Sequence, residues 1–267
     1  MIFENKHIAI TGAGSGLGRA LAIGLKQEGA ILYLSDINEE GLAETARLIG
    51  DSVHTSIVDV SKEDDVSSWK EQIEQETSVL DILFNNAGVT VLDRFEDHQR
   101  EDWERVLGVN LWGVIHGIRC FLPMLRKSQR GWIVNISSIF GIVALPSQAA
   151  YCASKFAVRG ISEVLWEELS DVGVSVVHPG GIATSIVKQA KSINSGFQNT
   201  LENFFEKQTL SPQTAALRII DGVRKEKKRI MVSKEAILFD RVKRLFPIAG
   251  NHWCAQKIMK AMGVKDW

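Results

Sequence analysis

Tyr151 and Lys155 stand four residues apart in Ala150-Tyr151-Cys152-Ala153-Ser154-Lys155. On a helix that spacing brings a phenol and an ammonium to the same face. A buried Lys beside the phenol favours the phenolate and is expected to lower its pKa from about 10 toward working pH, which would suit it to exchanging a proton with an alcohol oxygen. Two residue types at one spacing recur by chance in many helices, so the pair carries weight only through its surroundings. Cys152 adjoins Tyr151 but would point about 100° away around the helix, which makes it a packing residue rather than a nucleophile.

The elements that must position this pair begin near residue 8. The apolar run Ile8-Ala9-Ile10 reads as a buried strand leading into Thr11-Gly12-Ala13-Gly14-Ser15-Gly16-Leu17-Gly18, and Arg19 to Leu25 then follow a helical period. Glycines at 12, 16 and 18 would let the backbone turn tightly and approach a pyrophosphate, while the helix N-terminus presents N–H groups and a positive dipole end. The spacing G-x-x-x-G-x-G departs from the commoner G-x-G-x-x-G, because position 17 is Leu; a flexible loop is the bland alternative. A second strand, Ile31 to Ser35, ends at Asp36, about 20 residues beyond the turn, where a carboxylate can accept from both ribose hydroxyls and repel a 2′-phosphate. No Arg or Lys lies between Gly12 and Gly18 or directly after Asp36, so NAD is expected over NADP. Asp36 could instead cap the next helix, although Asn38 is equally placed for that.

Further strands are read at Val53 to Val58, Leu80 to Phe84, Gly131 to Ser138, Val174 to His178 and Arg229 to Ser233, with a helix from about Trp103 to Met124 and another from Pro212 to Val223. The pattern is that of a Rossmann-type, doubly wound α/β fold: a seven-stranded parallel sheet with helices on both faces, formed by one domain over residues 1–267. In such a sheet the ligand lies outside the carboxyl ends of the strands. Asp59-Val60, Asn85-Asn86-Ala87-Gly88, Ser137-Ser138 and Pro179-Gly180 all fall there, although Pro and Gly could mark no more than a turn.

This ordered set resembles the short-chain dehydrogenases/reductases in their single-domain form. The resemblance rests on Thr11 to Gly18, Asp59, Asn85 to Gly88, Asn110, Ser138 thirteen residues before Tyr151, Lys155, and Pro179-Gly180 with Thr184; it covers residues 1 to about 190 and thins beyond. It implies that Ser138 hydrogen-bonds the substrate oxygen, Tyr151 is the general acid/base, and Lys155 both lowers the Tyr151 pKa and holds the nicotinamide ribose. Asn110 is implied to hold a water linking Lys155 to solvent. Hydride would pass between nicotinamide C4 and the carbinol carbon. The implied dinucleotide contacts are Gly12, Ser15, Gly16, Leu17, Gly18, Asp36, Asp59, Val60, Asn86, Ala87, Gly88, Tyr151, Lys155, Pro179, Gly180, Ile182 and Thr184, the last two at the carboxamide. Adjacent strand residues point to opposite faces, and the thirteen-residue spacing selects Ser138 over Ser137, which is left to satisfy local backbone groups.

Composition is compatible with this. With 267 residues, 45% hydrophobic, 24% charged and net charge −1, the chain suits a globular domain with a large core and not a dedicated nucleic-acid binder. The six histidines show no metal-ligand spacing, so no metal site is expected. Cys120, Cys152 and Cys254 show no C-x-x-C and fit a reducing cytoplasm; no signal peptide and no apolar run near the length of a membrane span is read.

Residues 185–210, with Ile186, Val187, Ile193, Phe197, Leu201, Phe204 and Phe205, read as a substrate lid. Together with Phe140, Val143 and Leu145 they suggest an apolar pocket for a hydrophobic alcohol or ketone, unless they are helix faces buried on the core. Many family members end in Asp-Gly-Gly after the seventh strand, whereas this chain continues through a basic amphipathic segment, residues 234–267. Packing over the pocket or a partner subunit is favoured over contact with anionic lipid. The family implies a homodimer or homotetramer, and the tail would occupy a usual tetramer face, leaving a dimer through the Asn110 and Tyr151 helices. Two other readings stand beside an NAD-dependent alcohol dehydrogenase: an NADPH-dependent carbonyl reductase and a non-catalytic NAD-binding regulator.

Overall fold

Alternation along the apolar runs decides the layers. Ile8 and Ile10 face one side of the sheet and Ala9 the other; the same holds for Leu32 and Leu34 against Tyr33, and for Ile82 and Phe84 against Leu83. Both faces are apolar, as a parallel sheet covered by helices on each side requires. The computed structural model of the chain describes residues 1–50, 53–182, 186, 190 and 210–263. Its strands are β1 (His7–Thr11), β2 (Ile31–Asp36), β3 (Val53–Ile57), β4 (Ile82–Asn85), β5 (Trp132–Ile136), β6 (Gly173–His178) and β7 (Arg229–Met231). They form one parallel sheet in the order β3-β2-β1-β4-β5-β6-β7. The winding reverses between β1 and β4, which opens a crevice at their carboxyl ends.

One face is covered by α1 (Gly16–Gln27), α2 (Glu39–Ile49) and α7 (Pro212–Arg224), which bury Leu21, Leu25, Leu42 and Ile219. The opposite face carries α3 (Glu63–Glu76), α5 (Gly113–Lys127) and α6 (Ala149–Glu168). There Trp69 meets Phe121 edge to face at 5.2 Å, among Leu83, Ile133, Val158 and Val174. The cap of α2 is Asn38, whose Oδ1 accepts from Gly41 N at 3.0 Å, so Asp36 does not serve as that cap. Strand β5 stops at Ile136 rather than running to Ser138. Ser138 instead caps the short 3₁₀ turn Ile139–Gly141 by accepting from Phe140 N at 3.1 Å, which turns the chain out of the ladder.

The helix expected around Asn110 is longer and irregular. α4 (Arg100–Leu107) runs into α5 through a π-type turn, Gly108–Trp112, giving helical backbone from 100 to 127. Contrary to the expectation of no span-length apolar segment, this stretch is long and apolar enough to cross a membrane by length and composition. It buries Val114, Ile118, Phe121 and Met124 in the core, the placement of a core helix.

After β7 the chain forms a hairpin of α8 (Lys234–Leu245) and α9 (Ala249–Ala261) at the carboxyl edge of the sheet. Phe239, Cys254 and Ile258 pack on Ile139, Ile142 and Val143, and Met259 and Met262 on Leu92 and Leu145. The hairpin is tied to the sheet by Asp240, which accepts from Arg229 Nη1 at 3.2 Å and Nη2 at 2.8 Å and pairs with Arg244 at 3.1 Å. Burial raises the Asp240 pKa, but Arg229 and Arg244 outweigh it and hold the carboxyl below its ordinary 3.8. A depressed folded-state pKa contributes stability above the unfolded value and loses it as pH falls through the folded one. Asp240→Ala would leave the Arg229 guanidinium half-buried without its partner, a loss of about 3 kcal/mol expected as a lower urea-unfolding midpoint at neutral pH. The difference from wild type should shrink below pH 3.8.

Candidate active site

The β1–β4 crevice is knotted by Thr11 and Asn86. Thr11 Oγ1 accepts from the backbone N of Asn86 and of Ala87, both at 3.0 Å, and Asn86 Nδ2 donates to the carbonyls of Thr11 at 2.8 Å and Gly12 at 3.1 Å. Gly12 has φ +67° and lies so close to β4 that a Cβ there would stand 2.7 Å from Ala87 Cα. The turn then feeds α1, whose first turn carries no acidic residue and no side-chain cap. Those features leave a helix N-terminus suited to an anion.

At the end of β2, Asp36 accepts from Gly14 N through Oδ2 at 2.8 Å and from Asn38 N through Oδ1 at 2.9 Å. A carboxylate has about four lone-pair sites, so each oxygen can still accept a ribose hydroxyl. Arg19, directly after the glycine turn, is the cation to weigh against Asp36. Its guanidinium is taken up by Glu44 at 2.8 Å, Thr45 Oγ1 at 2.9 Å and the carbonyls of Gly14 and Gly41. Burial raises the Asp59 pKa, but its hydrogen bonds to Ser61 and the nearby Lys62 outweigh this and hold it low.

These groups line a cavity of about 910 Å³ that continues past the reactive residues to the C-terminal hairpin. Every expected site residue that the structure describes lines it, except Asn110; Thr184 lies outside the described residues, as do Val187, Ile193, Phe197, Leu201, Phe204 and Phe205 of the expected lid. Gly12, Gly14 and Gly18 form a floor on which added Cβ atoms would collide, and Asp36 stands at its end. That donor set and shape fit a nicotinamide dinucleotide.

Further along, α6 delivers Tyr151 and Lys155 as their spacing requires. The phenol lies beside Ser138, whose hydroxyl favours the phenolate, and packs edge to face on Phe140, ring centroids 6.3 Å apart. Lys155 Nζ donates to the Ile136 carbonyl at 2.9 Å and sits 5.5 Å from the centre of the Tyr151 ring. Ser137, by contrast, spends its hydroxyl on the Lys155 carbonyl at 2.8 Å. The expected lowering of the Tyr151 pKa by Lys155 is not what the chain's own groups produce. Burial pushes the phenol up to about 12, against the opposing Ser138 hydroxyl, and burial alone brings Lys155 down to about 8. Desolvation is the largest cause for both groups, and the ammonium donates to the Ile136 carbonyl.

Asn110 lies outside the cavity. Its Oδ1 accepts from Val89 N at 2.8 Å, and its Nδ2 donates to Val89 O at 2.9 Å and Ser154 Oγ at 3.1 Å. The side chain thus clamps the segment after β4 to α6, one residue from Lys155. It sits in the π-type turn, a distortion frequent at functional sites. Val143, expected at the pocket, is instead a core residue, because the hairpin packs over it. Phe140 and Leu145 do line the cavity, with Leu92, Ile186, Ile258 and Met262.

Several residues of the site lacked a sequence signal. His178 Nδ1 bonds the Ser138 carbonyl at 2.9 Å, and burial lowers its pKa to about 4, so at neutral pH it is an uncharged donor fixing Ser138. Only its place before Pro179 hinted at this. Gln148, three residues before Tyr151, accepts from Thr90 Oγ1 at 3.0 Å and gives the cavity a polar side. Gly14 could have been found from the extra glycine within the turn.

The short chain dehydrogenase family model matches residues 6–194. SadH of Mycobacterium tuberculosis is 40% identical over 252 residues, 91% of each chain. A cyclopentanol dehydrogenase of Comamonas is 38% identical over 192 residues, 70% of this chain and 76% of its own. Among solved structures, a short chain dehydrogenase/reductase from Burkholderia phymatum in complex with NAD superposes with a TM-score of 0.86 at 29% identity, covering 92% of this chain and 95% of that one. With the glycine turn, the Ser138, Tyr151 and Lys155 cluster and this sheet order, the chain belongs to the short-chain dehydrogenase/reductase family.

Proposed function

We propose that the protein interconverts a hydrophobic secondary alcohol and its ketone, with NAD as the redox partner. The observation that carries this is Tyr151 lining, together with Ser138 and Lys155, one cavity large enough for a dinucleotide and an apolar substrate together. When bound, the oxidised nicotinamide supplies a hydride-accepting carbon and a positive charge near the phenol. Ser138, fixed by His178, hydrogen-bonds the substrate oxygen. Tyr151 takes the hydroxyl proton in oxidation and returns it in reduction. Lys155, its Nζ 5.5 Å from the ring centre, would with the bound dinucleotide's positive charge offset negative charge as it develops on the phenol.

The free Asp36 lone pairs and the fully engaged Arg19 favour NAD, since a 2′-phosphate would face a carboxylate with no unengaged guanidinium beside it. Phe140, Leu145, Ile186, Ile258 and Met262 favour an apolar substrate, and the cyclopentanol dehydrogenase relative supports the reaction class. Three free thiols fit a reducing compartment such as the cytoplasm. Exposed Trp112, Phe156 and Val164 on the Asn110 and Tyr151 helices fit a homodimer contact there.

Three outcomes test the reading. Tyr151→Phe should lower kcat/KM by about a thousandfold across a panel of cyclic, long-chain and short secondary alcohols, with NAD binding retained. Unaltered turnover would remove Tyr151 from the reaction, and best turnover of the short polar alcohols would remove the apolar substrate. Asp36→Ala should cut the ratio of kcat/KM with NAD to that with NADP by about tenfold or more. Lys155→Met should abolish turnover yet stabilise the fold. Its ammonium is held at about 8 in the folded chain against 10.5 in the unfolded one, so the unfolded state binds more protons between those values. Wild-type stability should rise across that window, and below it the variant's unfolding free energy from urea titration should exceed wild type by up to about 3 kcal/mol.

A further inference from the structure

The hairpin of α8 and α9 buries its inner face over the cavity, but its tip faces solvent. Leu245 is 74% exposed, Phe246 60% and Ile248 88%, with exposed Pro247 between them and Trp253 40% exposed one turn into α9. Consecutive apolar residues at a projecting turn mark an interaction surface, because none of the described residues buries them. Cations crowd the same turn. Arg241 lies one helical turn before Leu245, and Lys243 and Arg244 directly precede it. The carboxylate nearest in sequence, Asp240, is buried against Arg229 and Arg244. Residues 234–263 carry six Lys or Arg and two Asp or Glu, a net +4 in a chain of net −1, so the remaining residues together carry −5.

We propose that this tip docks on an anionic lipid surface. Leu245, Phe246 and Ile248 enter the interfacial layer, while the exposed Arg241 and Arg244 face the headgroups. Trp253, with its ring edge on Phe239 and Lys257 5.6 Å from its centre, has the amphipathic setting that suits the boundary between acyl chains and water. Charge argues against a second copy as the occupant, since a two-fold contact would set this cationic tip on itself. The same hairpin lines the cavity through Lys257, Ile258 and Met262. Docking therefore brings the cavity beside the phase in which apolar molecules dissolve. The docking does not depend on the reaction proposed above and is read separately from it.

The test is co-sedimentation of the full chain with vesicles of phosphatidylglycerol and phosphatidylcholine in equal parts, and with vesicles of phosphatidylcholine alone. Partitioning should be at least about tenfold stronger onto the anionic vesicles and should fall with added salt. Phe246→Ser with Ile248→Ser should weaken it by about tenfold or more without moving the unfolding midpoint, and Arg241→Glu should weaken it on anionic vesicles only. Equal partitioning on both vesicles, none on either, or binding untouched by the double variant would overturn the proposal. So would a concentration-dependent dimer in sedimentation velocity that the double variant abolishes, which would assign the tip to a second copy.

Discussion

Thr11 and Asn86 hold together the two strands at which the winding of the sheet reverses, and the rest of the site is measured from that knot. β1 and β4 must part at their carboxyl ends, because one crossover leaves toward α1 and the other toward α4 on the opposite face. The Thr11 hydroxyl accepts two amides of the chain leaving β4, and the Asn86 amide returns to the carbonyls of the glycine turn. The crevice is therefore fixed in width without a side chain filling it. Because the strands all run the same way, β2, β5 and β6 deliver Asp36, Ser138 and Pro179 to the same edge, and α6 brings Tyr151 and Lys155 up to it.

The residues so gathered are not at rest electrostatically. A buried ammonium held down to about 8 and a phenol pushed up to about 12 are both disfavoured in their charged forms by desolvation. The surroundings that tolerate this are polar but neutral: the Ile136 carbonyl on Lys155, the Ser138 hydroxyl on Tyr151, and His178 kept uncharged behind Ser138. Such a site is poised for a ligand that brings charge with it, and it is weaker for folding than an apolar cluster of the same volume would be.

What could be read from the sequence is what short-range rules govern. Strand periodicity placed all seven strands to within a few residues, the glycine turn marked the helix start, and the four-residue spacing put Tyr151 and Lys155 on one face. The readings that failed needed knowledge of packing. Lys155 was expected to lower the phenol pKa because spacing gives proximity but not the direction in which Nζ points. Asn110 does lie on a helix, as expected, but its π-type turn and its clamp on Val89 depend on how α4 meets the segment after β4. Val143 is covered by the C-terminal hairpin, a packing that local spacing does not encode, and Arg19 is engaged by Gly14 of its own turn and by α2, more than 20 residues away. The basic amphipathic segment raised a choice between packing and surface contact that helical periodicity alone could not divide.

The hairpin divides that choice by face. On α8 the buried positions are Ala236, Phe239 and Asp240, the stripe that a helix one face of which is covered must show. If packing were the whole reason for the hairpin, the positions off that stripe would be polar. Instead Ile237, Leu238 and Leu245 face solvent and are followed by Phe246 and Ile248 in the turn, while the exposed Arg241 and Arg244 lie among them. Apolar side chains in water add nothing to folding stability and work against solubility, so their place on the outer face calls for a partner beyond the described residues. The cations among them specify its sign. A segment that closes one wall of the cavity and also presents apolar residues ringed by positive charge couples the cavity to whatever anionic surface it meets, through a single rigid element tethered to the sheet by Asp240 and Arg229.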